Sequence, residues 1–517
     1  MLLWLCAAVP LRYGILDGVV LGAGPDVVST LWGMWWLQQE GLLAILGAES
    51  TFANYPNGVT GSVLSPTSGI IWALLEPLFG TGRALAIVLW IQLGAFAHAC
   101  AWLASECGVE RPMNYWAGLI ALSARYLYFG VGEASIVAVV AVSIPIGIVA
   151  TIRIVNRHSP PWYHFLLSAM MVMTALENPY LAPILPLVVV GAGIVNSRYR
   201  TELGVVLALS CLGILGVAGA FGETANPDYP REVAGQIVSF VGRDWMVVDL
   251  PWARLRLEEL VWPKAVQWTI DADEATLATG GRYVGIVPLL LMLYGFAEHR
   301  ARLLGALFVG GCLLALGSVQ YDLAFPFLLL NAVMDAVARP LTQPTRFLAV
   351  ALVGLSVAAA IGLQRIHRKH PRLGTGIMVG LLLESAVFGG LGMQLPTTQT
   401  PVLTCSFGDE RGVLLWPYDA LDGEQSTSQL YQIQHGRPSP QTGIASWKLN
   451  GTRALEKIRG AGFTVGSVRV NERRLLDAGY DVVLVEVDQA SPFESSRGEA
   501  CGDVVRIQLE RREGAVR

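Results

Sequence analysis

The sequence predicts an α-helical polytopic membrane protein with about ten or eleven transmembrane helices, followed by a small C-terminal extracytoplasmic α/β domain. Three observations lead to this fold class. The 517-residue chain is 53% hydrophobic and only 15% charged, whereas ordinary soluble domains are about 25% charged. The charges are unevenly spread, since residues 401–517 hold 30 of them and the first 400 residues hold the other 46. Apolar runs long enough to cross a bilayer, roughly 17–25 residues, recur through the first part.

The composition also excludes several classes of protein. A chain this apolar is not intrinsically disordered, and its few charges cannot cover the surface of a single soluble domain. Its net charge of −4 gives no general attraction to phosphate backbones, so we expect no nucleic-acid partner. The sequence contains no P-loop, no HExxH metal motif and no GxSxG nucleophile elbow.

The predicted membrane domain covers residues 1–393 and contains ten apolar candidate spans. We add a first span at residues 1–16, with a cleaved signal peptide as the alternative. The ten candidates are residues 81–104, 114–130, 134–152, 162–176, 180–196, 203–222, 283–297, 302–320, 346–366 and 373–393.

The cationic residues between these spans fall on alternate loops, which predicts the orientation. Loops rich in Lys and Arg stay in the cytoplasm. The opposite, extracytoplasmic face of a bacterial cytoplasmic membrane is therefore predicted to carry loops 23–80, 223–282 and 321–345 and the domain 394–517. The cations that set this register are Arg111, Arg153, Arg157, Arg198, Arg200, Arg300, Arg302, Arg365, Arg368, Lys369 and Arg372.

The first external loop carries an acidic residue just before an amphipathic pattern. Asp26 lies close to the start of a predicted helix over residues 27–40, where a carboxylate is also favoured simply by the helix dipole. Trp32, Trp35 and Trp36 are of the type found where a helix lies in the lipid headgroup layer. The composition of residues 54–58 predicts a turn.

Several motifs, taken in their order along the chain, resemble the GT-C superfamily of integral membrane glycosyltransferases and its uncharacterised bacterial relatives. The resemblance covers most of the chain, although each motif is short. The motifs are Gly24-Pro25-Asp26, Trp32, Trp35-Trp36, Tyr55-Pro56-Asn57-Gly58, residues 66–80 ending in Pro77-Leu78-Phe79-Gly80, Arg339-Pro340, Gln343-Pro344-Thr345-Arg346-Phe347 and residues 432–446 (QIQHGRPSPQTGIAS).

This resemblance implies an inverting hexosyl or pentosyl transferase that moves a sugar from a polyprenyl-phosphate donor to an envelope acceptor. The matching loop position makes Asp26 the expected general base, with Asp17 as its substitute. Family members often carry an acidic pair in the second external loop, where this chain offers only Glu133. That departure keeps an alternative open, namely a non-catalytic protein or a transporter of a lipid-linked precursor. The partners expected are the lipid bilayer and the polyprenyl-phosphate-linked sugar.

Other charged residues are candidates for substrate or metal binding. Glu177 is either a site residue or a boundary charge in water. Arg346 is either a phosphate clamp or an arginine that snorkels to the interface. Asp271 and Asp273 have the spacing of carboxylates that bind a divalent metal ion, although such a run is also typical of a solvated loop.

The tail 394–517 alternates strand and helix patterns, which predicts a small α/β domain that recognises the acceptor or covers the membrane site. Strands are predicted at 412–416, 481–487 and 504–509, and helices at 423–434 and 452–460. Cys405 and Cys501 lie at the two ends of this domain in an oxidising space, so we predict a disulfide between them, with two unpaired thiols as the alternative.

Overall fold

The computed structural model contains a helical body and a small mixed α/β tail. It describes residues 1–22, 25–45, 48–50, 59–61, 65–132, 142–157, 160–224, 235–240, 243–248, 255–262, 282–317, 326–331, 344–398, 400, 403–408, 411–416, 432–435, 437, 448–449, 468–477, 479–486 and 498–509.

The helices and strands are numbered here in chain order. The helices are α1 Leu2–Ala8, α2 Arg12–Asp17, α3 Pro25–Glu40, α4 Pro66–Phe79, α5 Thr81–Glu106, α6 Asn114–Ser123, α7 Arg125–Gly132, α8 Ser143–Arg157, α9 Trp162–Glu177, α10 Ile184–Val195, α11 Arg200–Thr224, α12 Leu257–Val261, α13 Ile286–Gly295, α14 His299–Ala315, α15 Leu348–Lys369, α16 Pro371–Val387 and α17 Val468–Asp477. The strands are β1 Val20–Leu21, β2 Ala48–Ser50, β3 Val59–Gly61, β4 Gly235–Phe240, β5 Arg243–Val248, β6 Thr397–Thr398, β7 Val413–Trp416, β8 Lys448–Leu449, β9 Val482–Glu486, β10 Glu499–Cys501 and β11 Val504–Gln508.

Helix α15 forms the centre of the helical body. Its residues 348–364 are all buried, and it packs against α5, α6, α13, α14 and α16. Glycines allow the close approach, because a Cβ at Gly354 would collide with the carbonyl oxygen of Leu304 and one at Gly362 with that of Leu291. Small residues bring helix backbones together in this way inside membranes.

Within the described residues, two helices are long and apolar enough to cross a bilayer, at Thr81–Glu106 and Pro344–Lys369. Each of the ten predicted spans nevertheless coincides with a helix or overlaps one. The continuous span predicted at 114–130 is wrong, because the helix breaks at Ala124, which is extended with φ −72° and ψ 124°. The predicted first span is likewise divided into α1 and α2 on either side of Pro10.

The outer surface of the helical body is apolar. Soluble monomers rarely expose contiguous apolar patches of this kind, whereas lipid chains accept them, since backbone polar groups are satisfied inside each helix. The surface therefore indicates a membrane location. Its exposed side chains on α9, α10, α11, α13, α14 and α16 include Phe165, Leu187, Ile194, Val195, Val205, Leu209, Leu212, Leu290, Leu293, Leu303, Val379 and Leu383.

The arginine-bearing helix ends lie together at one end of the body, called here the arginine-rich end. Arg153 of α8 pairs with Glu106 of α5, and Arg368 of α15 pairs with Glu110 at 2.6 Å. The guanidinium of Arg300 donates to the carbonyl oxygen of Cys107 at 3.1 Å. Helices α9, α15 and α16 therefore have their other termini at the opposite end.

The tail contains a four-stranded sheet in the order β10-β11-β9-β7. Strands β7 and β9 pair in parallel, while β9, β11 and β10 pair antiparallel. Strands β7, β9 and β11 coincide with the three strands predicted from the sequence, whereas β10 was not predicted. Helix α17 and the hairpin β4–β5 were not predicted. The helix predicted at 452–460, and most of the one predicted at 423–434, lie outside the described residues.

Cys405 and Cys501, the pair expected to close the tail, are joined by a disulfide in the structure, with their Cα atoms 5.2 Å apart. Cys501 is the last residue of β10 and is fully buried. The bond therefore attaches the segment around residue 405 to the edge of the tail sheet.

The apolar surface leads to a test of the membrane location. Val379 lies at the middle of α16 with 51% of its surface exposed. An aspartate there is expected to cost about 2.5–3.5 kcal/mol of membrane insertion. Val379→Asp should therefore lower the fraction of protein recovered in the membrane. The matched control Ala500→Asp, on the exposed side of β10, should have no such effect. Equal recovery of both variants would contradict a lipid-facing α16.

Candidate functional site

Helix α3 is held inside the protein, contrary to the sequence expectation. The tryptophans predicted to lie in the headgroup layer are buried instead, with Trp32 and Trp36 fully covered and Trp35 only 3% exposed. Trp32 and Trp36 stack one turn apart, with ring centroids 6.4 Å apart. Helix α3 also packs along α4. The prediction of an interfacial helix is wrong, because an amphipathic pattern does not reveal whether lipid or protein covers the apolar side.

Contacts with the tail hold the segment that was predicted to form the first external loop. The indole Nε1 of Trp32 donates to Oε1 of Gln432 at 2.8 Å in a buried hydrogen bond. Strand β1 pairs with β6, and β3 pairs with β8. Because β6 and β8 belong to the tail, three separate stretches of the tail contact residues 20–61.

The two acidic candidates of this segment differ in position. Asp26 is the second residue of α3, about 9 Å along the helix axis from Trp32 at 1.5 Å per residue. Asp17 is the last residue of α2 and is exposed. It precedes Gly18, whose left-handed conformation (φ 75°) ends that helix.

Glu177 is held at the N-terminus of a neighbouring helix. It ends α9, and its Oε1 accepts the backbone N–H of Thr67 at 2.7 Å. Its own carbonyl oxygen accepts the hydroxyl of Ser65 at 3.3 Å. A carboxylate in this position satisfies an orphan donor in the first turn of α4 and interacts favourably with the helix dipole. Glu177 therefore attaches the start of α4 to the end of α9.

Arg346 lies next to this contact, at the start of the central helix. Its guanidinium carbon is 4.2 Å from the centroid of the Tyr180 ring, three residues beyond Glu177. Its carbonyl oxygen accepts the hydroxyl of Tyr126 at 3.3 Å. Guanidinium groups commonly stack on aromatic faces in this way. The structure thus brings Glu177 and Arg346 together at the end opposite the arginine-rich end. Helix α4, which starts there, packs against α3.

A second polar cluster at this end was not predicted from the sequence. Glu384 of α16 accepts the backbone N–H of Ile286 at 2.8 Å and the hydroxyl of Tyr283 at 2.5 Å. The carbonyl oxygen of Tyr283 accepts the N–H of Arg125, the first residue of α7, at 3.0 Å. The available signal was an acidic residue within the apolar run 373–393, which is costly in a membrane unless it has partners.

The remaining candidates cannot be placed. Glu133, Asp271 and Asp273 lie outside the described residues. Across the residues that are described, no group of three or more His, Cys, Asp or Glu side chains could hold a metal ion. The segment before α13 contains a buried ion pair, in which Arg282 and Glu259 are 2.7 Å apart.

The structure also contains a cavity of about 500 Å³ at a different place. It lies between α9 and α11 and has mainly apolar walls that include Phe165, Val205 and Leu209. His164 and Glu202, which also line it, are 3.4 Å apart. Phe165 precedes Glu177 by twelve residues, or about 18 Å of helix, so this cavity is separate from the candidate site.

The tail contributes a half-buried histidine three residues after Gln432. The Nδ1 of His435 accepts the N–H of Arg437 at 3.0 Å, and its ring lies 5.2 Å from that of Phe407. Burial, reinforced by the positive charge of Arg437, lowers the pKa of His435 from 6.5 to about 3. The folded protein therefore holds this imidazole in its neutral form.

This burial makes the stability of the tail dependent on pH. Between about pH 3 and pH 6.5 the unfolded chain binds a proton at His435 that the folded chain does not bind. The free energy of unfolding should therefore fall as the pH drops below about 6.5. In His435→Asn the amide oxygen can still accept from Arg437, and this variant should lose that part of the pH dependence in thermal melts from pH 4 to 8. Identical pH profiles for both proteins would contradict a neutral histidine in the folded protein.

The contact at Thr67 gives a test of the role of Glu177. Glu177→Ala removes the acceptor at the start of α4 and should cost about 0.5–2 kcal/mol of stability, as the loss of a helix cap does. Glu177→Gln keeps an oxygen in the same place and should melt close to wild type. Thermal melts of both variants in detergent check this expectation. A Gln variant as unstable as the Ala variant would show that the hydrogen bond to Thr67 does not account for the contribution of Glu177 to stability.

Comparisons with known proteins find similar chains among solved structures. No family model matches the chain, and no curated protein matches it. Among solved structures, the chain is similar to a cryo-EM structure of a mutant of the arabinofuranosyltransferase AftD from mycobacteria, with 13% sequence identity and a TM-score of 0.47. The match covers 94% of this chain and 36% of that chain. The chain therefore spans little more than a third of the length of that protein.

Proposed function

We propose that this protein is a membrane glycosyltransferase of GT-C type that transfers a sugar from a polyprenyl-phosphate donor to an envelope acceptor. The reaction would take place on the extracytoplasmic face, at the end of the helical body opposite the arginine-rich end. Asp26 is proposed as the general base. The proposal rests on the order of sequence motifs that resemble that superfamily, together with where their residues lie.

One observation carries the proposal. The helix that begins with Pro25-Asp26 packs along α4, the start of α4 is held by Glu177, and Arg346 lies beside that contact on Tyr180. The helix that carries the proposed base is thus linked through α4 to the neighbourhood of Arg346, within a helical body whose outer surface is apolar. A transferase with a lipid-phosphate donor needs a base, a cation for the phosphate and an apolar surface for the lipid.

The proposed reaction is a direct displacement at the anomeric carbon. The carboxylate of Asp26 takes the proton of the acceptor hydroxyl as the acceptor oxygen forms its bond to that carbon. The bond from the carbon to the phosphate oxygen breaks on the opposite face, and its electron pair leaves with the polyprenyl phosphate. Because the new bond forms on the face opposite the leaving group, this displacement inverts the configuration at the anomeric carbon.

Arg346 is proposed to stabilise the charge that develops on the departing phosphate. A planar guanidinium presents two parallel donors to phosphate oxygens, and a donor fixed before the reaction costs no reorganisation when the charge appears. Glu177 is proposed to act indirectly. It holds α4, and α4 packs against α3, the helix that carries the general base Asp26. The apolar helical surface would accommodate the prenyl chain.

The break between α6 and α7 favours a second candidate, a transporter of lipid-linked precursors. Discontinuous helices at membrane depth are typical of secondary transporters, and Arg125 begins the second half of this one. A transporter would move a polyprenyl-phosphate-linked sugar across reconstituted vesicles without releasing the sugar from its phosphate.

The base assignment is tested by Asp26→Asn in proteoliposomes supplied with polyprenyl-phosphate-linked pentoses or hexoses and envelope glycan acceptors. Loss of a general base should lower the turnover number by about 100-fold or more. The control Asp477→Asn, an exposed acid at the end of α17, should behave as wild type. Asp17→Asn, tested in parallel, decides between the two acids of the first external loop.

Two results would overturn this proposal. Wild-type turnover in a folded Asp26→Asn variant would remove Asp26 as the base. Transport of the precursor by a wild-type protein that never transfers its sugar would favour the second candidate.

A further inference from the structure

We infer that Gln432 is a positioning residue, which fixes helix α3 through Trp32 and so makes the tail part of the site on the membrane body. This inference deepens the proposed function, on which its kinetic consequence depends. The contact itself involves residues of the motif 432–446, to which the proposed reaction assigns no role.

The hydrogen bond between Trp32 and Gln432 is specific in direction. An indole Nε1 can only donate and a backbone carbonyl can only accept. The amide of Gln432 meets both demands in one orientation, with Oε1 accepting from Trp32 at 2.8 Å and Nε2 donating to the carbonyl oxygen of Arg437 at 2.9 Å. Both Trp32 and Gln432 are buried, with at most 1% of their surface exposed, so water cannot readily replace either partner.

The segment that carries Gln432 is itself tied to the tail sheet. Its Arg437 donates through the guanidinium to the carbonyl oxygen of Phe407 at 3.4 Å, and its His435 ring lies against the Phe407 ring. Phe407 follows Cys405 by two residues, and Cys405 is bonded to Cys501 at the end of β10. A continuous path of contacts therefore runs from Trp32 to the sheet.

The tail contacts the first segment on both sides of Asp26. Before it, Val20 and Leu21 pair with Thr398 and Thr397, and the hydroxyl of Thr398 donates to the carbonyl oxygen of Gly22 at 2.7 Å. After it, Trp32 is held by Gln432. The short stretch that includes the proposed base is thus enclosed between two tail contacts that are ten residues apart in sequence.

This arrangement predicts what loss of the hydrogen bond would do. Trp32→Phe keeps an aromatic ring but removes the donor, and Gln432→Leu removes the acceptor. Either change removes this hydrogen bond between α3 and the tail, while the pairing of β1 with β6 remains. A displacement of about 1 Å in a catalytic group can cost about 100-fold in rate, so a partial loss should lower kcat by about tenfold or more. The KM for the lipid-linked donor should not change, because Arg346 lies on another element.

The first measurement is hydrogen–deuterium exchange of the full-length protein in nanodiscs, without substrate. Peptides covering residues 25–32 should exchange at least about threefold faster in Trp32→Phe and in Gln432→Leu. The double variant should exchange no faster than either single variant, because all three lose the same bond. The matched control is Trp90→Phe. It removes a hydrogen bond of equal length (2.8 Å), from the indole of Trp90 to the carbonyl oxygen of Trp4, which is far from the tail in sequence.

The second measurement is the split between kcat and KM in the same variants, with the donor used for the Asp26 assay. A lower kcat at unchanged KM supports positioning. Unchanged exchange of α3 in both single variants, additive effects in the double variant, or a rise in KM alone would each overturn the inference. If wild-type protein transfers no sugar, the proposed function fails, while the exchange data still decide whether Gln432 fixes α3.

Discussion

The helical body is apolar, and several charged groups among its described residues are matched to partners. A charge or an unsatisfied backbone group buried away from water is costly, so carboxylates and helix termini are matched to one another. Glu177 accepts from the first turn of α4 and Glu384 from the first turn of α13. Arg282 pairs with Glu259, and Arg153 with Glu106. These pairings fix the relative positions of helices that are distant in sequence.

This constraint has a consequence for function. Glu177 and Glu384 cap helix starts and so position helices. Their role is structural, in contrast to the catalytic role proposed for Asp26. Helix α4, whose start is capped by Glu177, packs against α3. The tail contacts α3 as well, through Gln432. The proposed base would thus be set by contacts from the membrane body and from the tail together. Function would then depend on the docking of the tail as well as on the membrane helices.

Much of the architecture could be predicted from the sequence. Long apolar runs predicted where most of the helices lie, and the cationic residues predicted which helix ends lie together, as the pairs Arg153–Glu106 and Arg368–Glu110 illustrate. The strands of the tail followed from short apolar runs such as 482–486, and the disulfide pair from the positions of Cys405 and Cys501. These features depend on local composition, which a single sequence displays directly.

The contacts that define the candidate site could not be predicted in the same way. Periodicity identified the apolar side of α3 but not its cover, so Trp32 was assigned to the lipid interface. Gln432 lies 400 residues away, and no local pattern indicates such a partner. The break at Ala124 was also missed, because the run 114–130 is apolar overall and contains no proline that would signal an interruption. Glu177 was recognised as unusual, yet its partner at Thr67 depends on packing.

A cryo-EM structure of the protein with a polyprenyl-phosphate-linked sugar bound would show directly whether the donor lies between Arg346 and Asp26. We expect the phosphate within hydrogen-bond distance of the Arg346 guanidinium, with the sugar directed towards the start of α3 at Asp26. The prenyl chain should lie along the apolar surface of the helical body. A phosphate bound at the arginine-rich end, or in the cavity between α9 and α11, would contradict this expectation.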